Sequence, residues 1–286
     1  MAAVLGTNVA SLWASKNLQS AQSNMANSVE RLSSGLRINR AKDDAAGLAL
    51  ANALTQQINS SDQGIRNLND GISIVQTAEG AISQASEMAQ RILSLSIQAT
   101  NGTLNSTQLG SITSEMRELI TGITNIQIRT KFSGTTLLGG AAIDVYNGKE
   151  STDKVSISAG ALANIGSASG SAATLSGWIA TAAGTGSGAL TAAANYQSIA
   201  TSASSYITAL DTQRGLLGAL QNQMEYSVSN ITELSANLTS ARSRIIDTDY
   251  ASETANLTKG QILQQAATAM LAQANQMPNV ILSLLK

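Results

Sequence analysis

Two short stretches concentrate side chains capable of ionic chemistry. "RINRAKDDAAG", residues 37 to 47, sets Arg37, Arg40 and Lys42 beside Asp43 and Asp44, and "ARSRIIDTDYASE", residues 241 to 253, sets Arg242 and Arg244 beside Asp247, Asp249 and Glu253. Residues of these types can pair as ions, cap helix termini with a carboxylate, or hold a divalent cation. Imidazole and thiolate chemistry is closed to them, because the chain has no His and no Cys. A His base, a Cys nucleophile, Cys/His zinc sites and disulfides are excluded together. Asp247 and Asp249 lack the rest of a coordination loop, so capping is expected of them and no metal is assigned. "GTGSGA" at 184 to 189 fits a dinucleotide glycine pattern in form only, since no apolar strand precedes it and no helix with an acidic partner follows. No catalytic residue and no cofactor site are assigned, and an enzyme is not expected.

The knots stand out because charge is scarce elsewhere. Charged residues make up 12% of the 286, about half the usual share for a soluble protein. Hydrophobic residues are an ordinary 43%, and the net charge is -1. A surface of Ser, Thr, Asn, Gln, Ala and Gly wets easily yet repels other copies of itself weakly, so self-association is expected. No basic face is available for nucleic acid. No apolar run reaches the length of a membrane-spanning helix, so membrane insertion is not expected. "MAAVLGTNVASLWASKNLQ" lacks a basic leader before an apolar run, which argues against a Sec signal and for another route if the chain is exported.

Long helices must position these knots. There is one proline, Pro278, where an average chain of this length would have on the order of a dozen. Leu18, Met25, Val29, Leu32 and Leu36 recur at helical spacing, with Leu5, Val9 and Leu12 before them, and Gly35 offers a left-handed cap. Asp43 and Asp44 are expected in the first turn of a second helix carrying Ile58, Ile65, Leu68, Ile72, Val75 and Ile82 to "TNGT" at 100 to 103. That helix would run roughly 80 Å at 1.5 Å per residue, too long for a compact globule. A third helix carries Ile112, Met116, Leu119, Ile123 and Ile126, entered through Asn105 and Gln108 as a capping box.

The period then changes. "AIDVYNG" and "KVSISAG" alternate Ile143 with Val145 and Val155 with Ile157, as two strands of a hairpin. Residues from Ala163 to about Ala194 are Gly, Ser, Ala and Thr with Trp178 and Leu190, which reads as a flexible or weakly structured excursion. Beyond it Leu210, Leu217, Met224, Ile231, Leu238 and Ile245 stand seven apart, with Leu220, Leu234 and Ala241 between them, a supercoiled seam against the earlier helices. A last stripe, Leu263, Ala266, Met270, Ala274, Met277, Ile281 and Leu284, runs to the C-terminus. Only Lys16 is charged between Met1 and Val29, and only Lys286 between Gly260 and the end. Two such amphipathic helices cannot hide their surface wholly in each other and need further partners. The expected fold is mainly α, a long helical hairpin or coiled-coil bundle with a small β-hairpin and paired termini. Its expected job is assembly.

"SVERLSSGLRINRAKDDAAGLAL" at 28 to 50, "TNGTLNSTQLGSI" at 100 to 112, "LGALQNQMEYSVSNI" at 217 to 231, "ARSRIIDTDYASE" and "QILQQAATAMLAQANQMPNVILSLLK" closely resemble bacterial flagellin. The resemblance covers approximately residues 1 to 140 and 200 to 286. "LGTN" at 5 to 8 departs from the commoner Ile-Asn-Thr-Asn opening, and the middle is short, so large outer domains are not expected. The resemblance implies an inner coiled-coil domain from 1–42 and 247–286. It implies a rod domain, 43–246, with helices at about 44–100, 105–128 and 196–246, a hairpin at about 141–159 and a variable segment at about 163–194.

It further implies a subunit of the extracellular flagellar filament, serving swimming motility and exported by the flagellar type III route. Its partners would be other copies, an export chaperone, the filament cap and junction proteins. A hook-filament junction protein is the alternative. Inner-tube packing falls to Leu18, Met25, Val29, Leu32, Leu263, Met270, Met277, Ile281 and Leu284. "QRILSLSIQ" at 90 to 98 is similar to the segment sensed by a host Toll-like receptor, with Arg91, Leu95 and Glu115 as contacts, while Leu93 and Ser94 depart from the charged pair often found there. The knots then read as the joint between inner and outer shells, Arg31, Arg37, Arg40 and Lys42 facing Asp43, Asp44, Asp247, Asp249 or Glu253, with Arg242 and Arg244 in the same cluster. The plainer alternative makes them solvated caps and connectors.

Overall fold

The computed structural model describes residues 8–163, 165 and 193–284. In chain order its elements are α1 (Val9–Ser34), α2 (Ala45–Ala99), α3 (Ser106–Arg129), β1 (Lys131–Phe132), β2 (Thr135–Thr136), β3 (Ile143–Tyr146), β4 (Lys154–Ile157), α4 (Ala193–Ile246) and α5 (Tyr250–Leu284). They form two compact units: a first from Met1–Ile58 with Ala236–Lys286, and a second from Asn59–Ser235. The mainly helical fold with a small hairpin is present. Most of the excursion expected between 163 and 194, Trp178 and Leu190 included, lies outside the described residues, as does Leu5.

The helices are long because nothing interrupts them and because their polar residues are satisfied locally. Thr55, Ser73 and Thr77 each bond back to the carbonyl four residues earlier, at 2.8, 3.0 and 2.7 Å. Such hydroxyls need no partner from outside the helix. α1 stops at Gly35, whose φ of 72° is left-handed and whose N–H returns to the Arg31 carbonyl. α3 starts with a complete capping box: Asn105 accepts from the Gln108 N–H, and Gln108 accepts from the Asn105 N–H, both at 2.9 Å. Replacing Asn105 by Ala is expected to cost about 1 kcal/mol, measured as a shift of the urea midpoint with unchanged slope.

In the second unit α2 buries an unbroken 3,4 series: Ser61, Gly64, Leu68, Gly71, Val75, Ala78, Ile82, Ala85, Ala89 and Ile92. Every second or third member is small, so neighbouring backbone can approach closely. The facing series on α4 is Tyr196, Ile199, Ala203, Tyr206, Leu210, Gln213, Leu217, Met224 and Ile231. The two helices run antiparallel, tied by Ser235 to Asp62 at 3.2 Å and by Arg214 to Glu79 at 3.9 Å. Leu234, expected on the α4 seam, is instead 41% exposed, while the polar Gln213, not expected there, is 7% exposed on the buried face. α3 supplies Ile112, Met116 and Ile123 to the same core. Both buried tyrosine hydroxyls are paired: Tyr206 donates to the Ile165 carbonyl at 2.8 Å, and Tyr196 hydrogen-bonds Thr113 at 3.3 Å. Burial pushes the Tyr206 phenol above its ordinary range.

β3 and β4 pair antiparallel as the expected hairpin, with Ile143 opposite Ile157 and Val145 opposite Val155. Val145, Val155 and Ile157 face the core, and Asp144, Ser156 and Lys154 face out. Lys154 pairs with Asp144 at 2.7 Å. The ammonium and the Ser156 hydroxyl hold the Asp144 carboxyl below the usual range, and Asp144 raises Lys154 in turn. The hairpin sits on α2 at two glycines. A Cβ added to Gly64 would fall 2.7 Å from the Asn147 carbonyl carbon, and one on Gly71 2.9 Å from Val145. A second hairpin, β1 with β2, was not expected from the sequence. Its strands are two residues each, and only Ser133 and Gly134, both at positive φ, mark the tight turn between them.

Candidate functional site

Within the first unit α1 and α5 lie antiparallel. Asn8 donates to the Ala274 carbonyl at 2.7 Å, Ser11 to Asn275 at 3.0 Å, and Arg31 approaches Glu253 at 3.8 Å near the other end. The buried positions are Ala14, Ala21 and Ser28 on α1, seven apart, and Glu253, Gly260 and Ala274 on α5. Apart from Glu253, small side chains thus make the seam, and at Gly260 a Cβ would come within 3.4 Å of Met25 Cβ. The bulky residues lie beside it. Leu18, Met25 and Leu32 are half-buried, Val29 and Leu263 are exposed, and Leu12 and Met270 are 72% and 62% exposed. Met277, Ile281 and Leu284 belong to α5, but their side chains fall outside the described residues.

A groove of about 760 Å³ follows the α1–α5 seam, lined by Trp13, Ala14, Ala21, Leu263, Met270 and Ala274 among others. Its lining is predominantly apolar and carries no charge, although Lys16 rests over the Trp13 ring at 5.2 Å. Such a trough, rimmed by exposed Leu, Met and Trp, is open apolar surface rather than a closed core.

The charge knots meet through the main chain. Leu36 and Asp247 form an antiparallel bridge, the Arg37 N–H donates to the Ile246 carbonyl at 2.6 Å, and the Thr248 N–H to the Gly35 carbonyl at 2.9 Å. The Arg37 guanidinium caps the last turn of α4 at the Ile245 carbonyl, 2.5 Å away. Ile38, 3% exposed, anchors the loop against Gly47. The acids act mostly on backbone. Asp44 takes the Gly47 N–H at 2.9 Å, so it caps α2 from just before the helix and is not in its first turn. Asp249 caps α5 through the Ala251 N–H at 2.9 Å.

Asp43 takes the N–H groups of Arg40 and Asn39. The Arg40 N–H above all, then the Asn39 N–H and the charges of Lys42 and Arg31, hold its carboxyl below the usual range against a smaller upward push from desolvation. Of the anticipated Arg-to-acid pairs, Arg31 with Glu253 is present, and Glu253 is the one buried acid among the described residues. Arg40 pairs with Glu30 at 2.7 Å, and Asn39 donates to the same carboxylate. Glu30 escaped sequence reading because it lies outside both knots, although one helical turn before the Gly35 stop. Among the described residues no group of three acidic side chains could hold a metal ion.

In the second unit Arg91 and Glu115 form an exposed ion pair at 2.7 Å across α2 and α3. Leu95 is 1% exposed, packed in the core beneath them.

The bacterial flagellin N-terminal helical region matches residues 5–142, and the C-terminal helical region matches residues 201–285. The chain belongs to the bacterial flagellin family. The flagellin of Bacillus subtilis (strain 168) is 38% identical over 300 residues, with 98% of each chain covered. The flagellin of Xenorhabdus nematophila is 36% identical over 313 residues, with each chain covered in full. A crystal structure of Bacillus cereus flagellin is 23% identical with a TM-score of 0.46, covering 62% of this chain and 94% of that one. The α1–α5 face and the joint both fall inside the matched flagellin regions. No described helix is long and apolar enough to cross a membrane.

Proposed function

We propose that the chain is the structural subunit of a bacterial flagellar filament, polymerising with copies of itself outside the cell. The observation that carries this reading is the uncovered α1–α5 face: a groove of about 760 Å³ beside Trp13, Leu263 and Met270, which stand 59%, 47% and 62% exposed. Residues of that size left in water at one face cost free energy that docking recovers, about 25 cal/mol per Å² of apolar surface covered. On this reading 1–42 with 247–286 forms the inner layer and 43–246 the next shell. Leu18, Met25, Val29, Leu32, Leu263, Met270, Met277, Ile281 and Leu284 pack between subunits. Electron microscopy after seeded or salt-induced assembly tests it. Long helical filaments are expected, and material that stays monodisperse rejects the proposal. Few copies per flagellum and no long filaments would mark a junction protein instead, a reading the family membership does not favour.

The joint is part of the proposal. Arg31, Arg37, Arg40, Asp43, Asp44, Arg242, Arg244, Asp247, Asp249 and Glu253 set the geometry by which inner and outer layers assemble. Arg37→Ala removes the guanidinium cap on α4, and Asp44→Ala the cap on α2, each worth about 1 kcal/mol within one chain. A lattice repeats that loss in every subunit. Both variants are expected to keep the helical signal of the monomer and to assemble at several-fold higher protein concentration, read by sedimentation of polymer. Export by the flagellar type III route, and handling by an export chaperone, cap and junction proteins, follow from the same reading. So does recognition by a host Toll-like receptor through Arg91 and Glu115, with Leu95 supporting the helix beneath them. A reporter-cell assay with depolymerised monomer checks this, and Arg91→Ala is expected to lower the response. The reading is structural, not catalytic.

A further inference from the structure

The chain contains two Asn–Gly dipeptides, Asn101–Gly102 and Asn147–Gly148. In such a pair the glycine nitrogen can attack the asparagine side-chain carbon, because no Cβ shields the approach. Sequence alone makes the two equivalent. The structure separates them.

Asn101 lies in the exposed turn between α2 and α3. Its Oδ1 accepts the Thr103 N–H at 3.3 Å, an Asx turn that holds the carboxamide toward the main chain that follows it. The same donor points at the oxygen that must carry negative charge when the carboxamide carbon becomes tetrahedral, the arrangement that favours acyl attack. Gly102 is open: an added Cβ would meet nothing within 4 Å, so the chain there has room to reach the attacking geometry. Both asparagines have their own N–H bonded, Asn101 to the Gln98 carbonyl at 3.2 Å and Asn147 to the Asp153 carbonyl at 2.9 Å, but the Asn147 carbonyl is wedged against Gly64 and its Oδ1 is buried without a hydrogen-bond donor. Gly148 is closed in by the Asp153 side chain. Among the described residues neither glycine N–H is bonded, so the difference lies in the carboxamides and in the freedom around them.

We propose that Asn101 is a site of spontaneous deamidation in the folded chain and that Asn147 is protected. The Gly102 nitrogen gives its proton to solvent base and bonds to Asn101 Cγ. The Cγ–Nδ2 bond then breaks, and the nitrogen leaves as ammonia once protonated by water. Water opens the resulting cyclic imide at either carbonyl, leaving aspartate or isoaspartate. The product places a new negative charge just after the C-terminal end of α2, where the helix dipole disfavours it, and in the isoaspartate form lengthens the main chain by one carbon.

The test is ageing of the full-length protein at mildly alkaline pH, with peptide mapping by mass spectrometry and enzymatic isoaspartate labelling. Deamidation at Asn101 is expected to outpace that at Asn147 by at least an order of magnitude in the folded chain. In denaturant the two rates should converge. Gly102→Ala should suppress the reaction at Asn101 by a similar factor while leaving the circular dichroism unchanged. Equal rates in the folded chain, or faster loss at Asn147, overturn the proposal. A preference for Asn101 that persists undiminished in denaturant also overturns it, since neighbouring sequence and not the fold would then set the rate.

Discussion

Gly64→Ala is expected to destabilise the second unit by about 1–3 kcal/mol, although alanine is the better helix former. Intrinsic propensity favours Ala over Gly inside a helix by roughly 1 kcal/mol, so an exposed Gly→Ala change stabilises. At Gly64 the new methyl meets the Asn147 backbone, which cannot rotate aside as a side chain would. Gly80 supplies the contrast on the same helix, because a Cβ there meets nothing within 4 Å. Gly80→Ala should therefore raise stability by about 0.5–1 kcal/mol. Urea melts followed by circular dichroism give both signs in one experiment. If the two variants move together, the β3–β4 hairpin does not rest on α2 as described.

Ala21→Glu is expected to abolish assembly at the concentration where the wild type polymerises. Ala21 is 4% exposed on the α1–α5 seam and lines the groove beside it. A carboxylate there meets a predominantly apolar lining with no cationic side chain, and an unpaired charge so placed costs several kcal/mol or is relieved only by the helices separating. Separation dismantles the face proposed to receive another copy. The critical concentration for polymer should rise by at least an order of magnitude, while the melt of the second unit, whose core contains no residue of α1, keeps its midpoint. Filament formation at the wild-type concentration would show that this face is not where copies meet.

Much of the architecture was legible because long helices advertise themselves. The 3,4 spacing of α3, the box at Asn105 and Gln108, the stop at Gly35 and the alternation of Ile143 with Val145 are local signals, and local hydrogen bonding determines each of them. The seams were half legible. On α2 the large members Leu68, Val75 and Ile82 mark the buried face, but Gly64, Gly71, Ala78 and Ala85 share it and carry no hydrophobic signal of their own. On α1 this goes further: the buried series is Ala14, Ala21 and Ser28, while the bulkier Leu12 and Val29 are exposed. Where helices approach closely, size decides burial, and a periodicity built on large side chains finds the flank. Charge scarcity drew attention to the two knots, but Arg37, Asp43, Asp44 and Asp249 bond to main-chain groups whose positions no spacing reveals.

The contact between Asn8 and Ala274 spans 266 positions of sequence. A loop of that length is entropically slow to close, and its cost is met only when both helices are already formed. The second unit draws on residues 59–235 alone and can therefore condense first, from contacts nearer in sequence. The first unit must wait for the far end of the polypeptide. A growing or threading chain thus carries α1 without its partner until its last helix emerges, and the apolar trough that α1 helps to line comes into being as the closing event of folding.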